Sequence, residues 1–201
     1  MVHEDKKFST KNPRLMVPTK IECNGFILRR LEVGDAPSIT KYCQDPLIHQ
    51  MTVRIPFPYE LKDGEWFVNN SIPKWDEGKE FNFGIIINNE VVGICGLAGF
   101  DSLHRHAELG YWLGKPFRGQ GIMSKAAKAV VKFAFEELKV HRLDVWHMEQ
   151  NEGSKRIIQK LGFTHEGMRR EGHLKDGKWN NSVMYGLLES EYLKKNKVIL
   201  N

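Results

Sequence analysis

Cysteine is scarce in this sequence and scattered. Cys23, Cys43 and Cys95 form no CxxC pair, and their odd number fits neither a disulfide framework nor a zinc site. No apolar run approaches the ~20 residues that a membrane-spanning helix requires. The opening "MVHEDKKFSTKNPRLMVP" has no apolar signal core. No internal repeat or low-complexity tract interrupts the chain. The eight histidines have no strong metal-ligand spacing; His104 and His106 share one strand face and read as a solvated edge. Neither a finger spacing nor a basic zipper accompanies the net charge of +5. These absences leave a cytoplasmic globular protein with no metal, no membrane partner and no direct nucleic-acid binding. Residues 1–15 read as a flexible arm, and residues 16–201 as a single domain with a full core.

What is present is an ordinary balance, 41% hydrophobic and 27% charged, with a positive surplus that permits an anionic partner. "GFILRR" reads as a strand, and Asp35 starts a helix in which Ala36, Ile39 and Tyr42 keep helical spacing. Residues 46–80 form an aromatic-rich, otherwise irregular insertion around a short helix, Glu60 to Ile72. Pro56 to Tyr59, with Phe57, read as a wall for an acceptor, and Trp66 and Phe67 as anchors of that helix. "FNFGIIINNEVVGICGLAGF" is a hairpin turning at Asn88-Asn89. "HAELGYWL" is a strand, and a helix runs from about Gly119 to Leu138 with Ile122, Ala126, Ala129, Val130, Phe133 and Ala134 on one face. A strand "RLDVWHM", a helix Glu152 to Leu161, a strand "FTHEGMRRE", a turn at Asp176-Gly177 and a strand "NSVMYGLLE" lead to a basic tail. The order predicts a mixed α/β sheet.

Arg118-Gly119-Gln120-Gly121 stand where "GYWL" gives way to the long helix. A helix begins with unpartnered N–H groups and partial positive charge, which suits an anion. Glycines let a phosphate approach the backbone, and a guanidinium fork fits phosphate oxygens. The loop is not a Walker loop, because Ile122 follows Gly121, and not a dinucleotide fingerprint, because Ser124 stands where the third glycine belongs. On these residues alone a glycine turn and a pyrophosphate site are both open. A second segment, "NEGSKRIIQKLGF", places Asn151 at a strand end and Ser154 at the next helix start, where either also serves as a cap.

Together, "RGQGIM" and "NEGSKRIIQKLGF", followed by "EGMRREG" and preceded by "ILRRLEVGDA", resemble the GNAT superfamily of N-acetyltransferases. The match is to its Rim-type branch, which acetylates ribosomal-protein N-termini, and it extends from about Gly25 to Glu189. Met123 departs from the small residue usual at the loop's end, its side chain free to turn to the core while its N–H faces the ligand. Asn181 stands where many relatives carry Asp.

The resemblance implies a GNAT fold, α/β (α+β): a central mixed, mostly antiparallel twisted sheet flanked by helices and splayed at the acetyl-CoA site. It implies acetyl-CoA as co-substrate and an amine acceptor, a protein N-terminus or a small amine, with a homodimer common in the branch. The cofactor would be held by Tyr111, Trp112, Leu113, Arg118, Gly119, Gln120, Gly121, Ile122, Met123, Asn151 and Ser154. Glu108 is the expected base, Ser154 the acid at the leaving thiolate, and Tyr185 its rival. A bulge is expected to free N–H groups near Tyr111 to Leu113 for the oxyanion.

Overall fold

A computed structural model describes residues 17–198; the arm expected at 1–15 lies outside them. The described residues open with a hairpin, β1 (Lys20–Cys23) and β2 (Phe26–Arg30). Asp35, buried and held by both terminal nitrogens of Arg29 at 2.7 and 2.8 Å, fixes the start of α1 (Ala36–Cys43). The insertion is more ordered than expected. Asp45 accepts from the Leu47 N–H and caps a short helix, α2 (Pro46–Met51). α3 (Leu61–Asp76) opens on a capping box between Glu60 and Asp63 and continues past Pro73. Phe67 packs on the core, as expected of an anchor, but Trp66 is 66% exposed and anchors nothing. Trp75 is the anchor instead, edge-on against Phe81 and Phe83.

β3 (Phe81–Ile87) and β4 (Glu90–Asp101) turn through Asn88-Asn89, both at positive φ as a two-residue hairpin requires. β5 (His106–Leu113) leads to α4 (Ile122–Glu136), and β6 (Arg142–Met148) to α5 (Glu152–Leu161). β7 (Thr164–Lys175) and β8 (Lys178–Leu188) turn at Asp176-Gly177. The basic tail begins as a helix, α6 (Glu189–Val198).

The strands form one sheet in the order β1-β2-β3-β4-β5-β6-β8-β7. Every neighbouring pair is antiparallel except β5 with β6. α4 makes the crossover between those two, the connection a parallel pair needs. Helices cover both faces of β4, which is buried without a break from Val91 to Leu97. Ala126, Val130, Phe133 and Ala134 of α4 fill one core cluster. Ile39, Cys43, Tyr59 and Val68 fill the other, beneath α1 and α3.

Candidate active site

The sheet splits between its two parallel strands. β5 and β6 pair at only three positions, ending at Glu108 with Asp144. Beyond that point β5 stays with β4 as far as Leu113, and β6 stays with β8 as far as Met148. The Gly114 N–H donates to the Val92 carbonyl at 2.8 Å, which sets the alternation along β5. Gly114, Trp112 and Gly110 therefore bond to β4, while the Leu113 N–H, both groups of Tyr111 and the Leu109 C=O turn into the split; the Leu109 N–H closes the last bridge to Asp144. No bulge lies at Tyr111 to Leu113; the nearest register shift is opposite Ala98–Asp101. Divergence of β6 frees these groups, so the expected bulge is corrected to a wedge.

The wedge is the centre of a cleft of about 1030 Å³, lined by β5, the loop into α4, β6, the first turn of α5, and α2 with the segment after it. Its outer end is the start of α4. Gly119 and Gly121 have φ of 77° and 75°, a left-handed backbone that glycine adopts without strain. Gly121 is the N-cap and no side chain caps the helix, so the N–H groups of Ile122, Met123 and Ser124 face the cleft without helical partners. Met123 buries its side chain in the core. Gln120 folds back instead, its amide donating to the Pro116 carbonyl at 2.8 Å, and it does not line the cleft.

Arg118 is braced. Its Nε donates to the Leu113 carbonyl at 2.9 Å, and Nη1 lies 2.7 Å from Asp45 Oδ2, a contact of charge rather than an aligned hydrogen bond. The guanidinium joins the loop to the end of β5 and to the cap of α2. Arg54 and Arg156 also line the cleft; sequence spacing gave no sign of either.

At the inner end, Asn151 caps α5 by accepting from the Ser154 N–H at 3.0 Å. The Ser154 hydroxyl meets the phenol of Tyr111, Oη to Oγ 2.8 Å. Burial pushes the Tyr111 phenol above the usual tyrosine range, against a smaller downward pull from Ser154, so it holds its proton at any physiological pH. Tyr185 lies elsewhere. It is 5% exposed, stacked on His147 and edge-on to His165, and does not line the cleft.

Side chains alternate along β5, so Glu108 faces away from Tyr111, toward α1 and α3. Glu108 lines the cleft on that side together with His173 of β7. His173 stacks on Trp146 with ring centroids 4.3 Å apart, and its Nδ1 is 2.7 Å from Ser182 Oγ. Burial first, then Arg169, and more weakly Arg54, lower its pKa below the usual 6.5, while Glu108 opposes them. The imidazole is therefore neutral near pH 7. Asn181 faces neither end: its amide donates to Glu149 Oε2 and its oxygen accepts from the Glu171 N–H, both at 2.9 Å. Among the described residues no cluster of His, Cys, Asp and Glu could hold a metal, and no helix is long and apolar enough to cross a membrane.

The model of the acetyltransferase (GNAT) domain matches residues 26–164. The N-acetyltransferase p20 of Bacillus licheniformis, of uncharacterized role, is 29% identical over 169 residues, 82% of this chain and 93% of that protein. The [ribosomal protein uS5]-alanine N-acetyltransferase of Escherichia coli (strain K12) is 31% identical over 120 residues, 58% of this chain. That alignment spans 61% of the E. coli enzyme, and one to YdaF of Bacillus subtilis (strain 168), 34% identical, spans 60% of YdaF, less than two thirds in each case. The solved structure of RimL, a ribosomal L7/L12 alpha-N-protein acetyltransferase in complex with coenzyme A, has the same fold, with a TM-score of 0.78 at 20% identity over 87% of this chain and 98% of that one.

Proposed function

The chain belongs to the GNAT family of acetyltransferases, and on that premise we propose that it carries the acetyl group of acetyl-CoA to the N-terminal α-amine of a protein, a ribosomal protein being the model substrate. The wedge carries this reading. It runs from the uncapped start of α4, suited to a pyrophosphate, to the Tyr111–Ser154 pair, suited to a thiolate.

When bound, acetyl-CoA supplies an activated acyl carbonyl on a thiol leaving group. The N–H groups of Ile122, Met123 and Ser124 bind the pyrophosphate. Leu109, Tyr111 and Leu113 offer backbone groups to the pantetheine amides, as a sheet edge accepts a strand. An N–H of β5 in the wedge donates to the carbonyl oxygen as it gains charge. Glu108 holds the incoming ammonium, and the neutral imidazole of His173 takes its proton so that nitrogen can attack. An α-amine, with a reference pKa near 8, gives up that proton far more readily than a lysine near 10.4. The phenol of Tyr111, relayed through Ser154, donates to the departing sulfur. Asn151 holds Ser154 in place by capping α5. Tyr185 has no part in these steps.

Mass spectrometry of a purified ribosomal protein incubated with enzyme and acetyl-CoA tests the proposal. A gain of one acetyl, mapped to the N-terminus, is expected. Modification of free polyamines, amino acids or aminoglycosides alone would move the reading to a small-amine enzyme. Binding of acetyl-CoA without turnover on any amine would leave a non-catalytic CoA-binding module.

A further inference from the structure

A second cavity, of about 220 Å³, lies beside the cleft. Thr52, Ile55, Ala98, Gly110, Tyr111 and Trp112 line both spaces, so the two adjoin. The remaining wall comes from α1, Tyr59 ahead of α3, α3, β3 and β4, with Ile39, Phe67 and Ile94 foremost. Among the described residues no charged side chain lines it. Its polar groups are quiet. The Asn82 amide donates to Ser71 Oγ at 3.2 Å, and burial pushes the Cys43 thiol up to about 12, so it stays neutral. An apolar cavity of about 150 Å³ already accepts a benzene ring. This one has room for an aromatic ring or a branched aliphatic chain.

Its side of the sheet identifies the occupant. Tyr111 and Ser154, which meet the leaving sulfur, are on the face of β5 that packs on α4. Glu108, Gly110 and Trp112 are on the other face, where the amine arrives, and the cavity is reached past Gly110. Gly110 leaves the opening bare: a Cβ built there meets nothing within 4 Å, and its backbone is not in the left-handed region. The opening thus lies two residues from the carboxylate that holds the ammonium.

We propose that this cavity receives the side chain of the acceptor, so that the enzyme selects α-amines whose own carbon carries a large apolar group, such as a protein chain beginning with Leu, Met or Phe. The inference rests on the transferase reading above and names the substrate class within it. A polyamine is disfavoured by the same wall, because its second ammonium would lose water there without gaining a counter-charge.

The test is kcat/KM with acetyl-CoA for peptides that differ only in the first residue: Ala, Leu, Phe, Glu and Lys. Leu and Phe should exceed Ala, and Glu and Lys should fall below it, by roughly tenfold or more in each direction, the range that filling an apolar pocket supports. Cys43→Leu and, separately, Phe67→Trp, at residues that line the cavity and not the cleft, should remove the Leu and Phe advantage while the Ala peptide keeps its rate. Acetyl-CoA binding and the melting temperature of each variant establish that it is folded, and two fillings from different helices guard against loss of one. Equal rates for all first residues, or a preference unchanged in both variants, would overturn the inference and leave the transferase reading standing. Loss in the variants of hexanoyl-CoA use, with first-residue preference intact, would assign the cavity to the acyl chain and also overturn it. No acetylation of any peptide or free amine would instead defeat the transferase reading.

Discussion

Tyr111 and Ser154 are 43 residues apart in the chain and 2.8 Å apart at the hydroxyls. If they deliver the proton to sulfur, Tyr111→Phe should lower kcat by roughly 10²-fold, the scale of a lost general acid, and leave acetyl-CoA affinity near its starting value. Steady-state kinetics beside a binding titration separates the two effects. His173 makes a second prediction. Its pKa is lowered, so the basic form exists above that value and is lost as pH falls through it. With amine bound, kcat should hold from pH 7 to below 6.5 and fall only in more acid solution, and His173→Gln should lower kcat and erase that limb. A limb that survives the substitution would assign the base to Glu108. That Ser154 and Glu108 lie at the cleft is legible in the sequence because they sit inside local motifs. The phenol of Tyr111, His173, Arg54 and Arg156 are not, since what joins them to the cleft is long-range packing that no spacing records. Tyr185 stays open in the sequence for the converse reason: a tyrosine on a buried strand looks the same whether it faces a site or, as here, packs between two histidines.

The helices on the acceptor face depend on one close approach. A Cβ at Gly64 of α3 would come within 2.5 Å of Thr40 Oγ1 and 2.9 Å of the Ala36 carbonyl, both on α1. Gly64→Ala should therefore cost about 1–3 kcal/mol despite alanine's better helix propensity, by overpacking; urea unfolding would show a lower midpoint at unchanged slope. α1 and α3 were visible as helices because their apolar residues recur at helical spacing. The sequence suggests a helix ending at Ile72, before Pro73, but burial of Trp75 against Phe81 and Phe83 carries it on to Asp76. α2 was missed because six residues hold too little periodicity, and its signal is the Asp45 cap with Pro46 behind it. α6 lacks an apolar stripe; Tyr192, stacked on Phe135 at 4.7 Å, ties it to the core.

Local patterns name seven of the eight strands found among the described residues, leaving β1 unremarked, but not their order. Sequence neighbours β6 and β7 are separated by β8, and the single parallel contact lasts three residue pairs. That brevity makes the wedge, and it follows from β5 remaining on β4 while β6 remains on β8, a competition between long-range ladders. The aromatic cluster under α4 sets much of the stability: Phe83 touches both Trp75 and Phe133, and Phe83→Ala should cost about 3–5 kcal/mol in the same unfolding assay. If the wedge and the bare start of α4 form an acetyl-CoA site, calorimetric titration of the purified protein with acetyl-CoA, beside Gly121→Asp, should register it. Saturable binding of one acetyl-CoA per chain is expected, with a loss of at least tenfold in affinity for the variant, since an aspartate at a φ of 75° adds strain and sets a negative charge against the pyrophosphate. No binding to the unaltered protein, or equal binding to both, would contradict it and reduce Arg118 and its glycines to a turn before a helix.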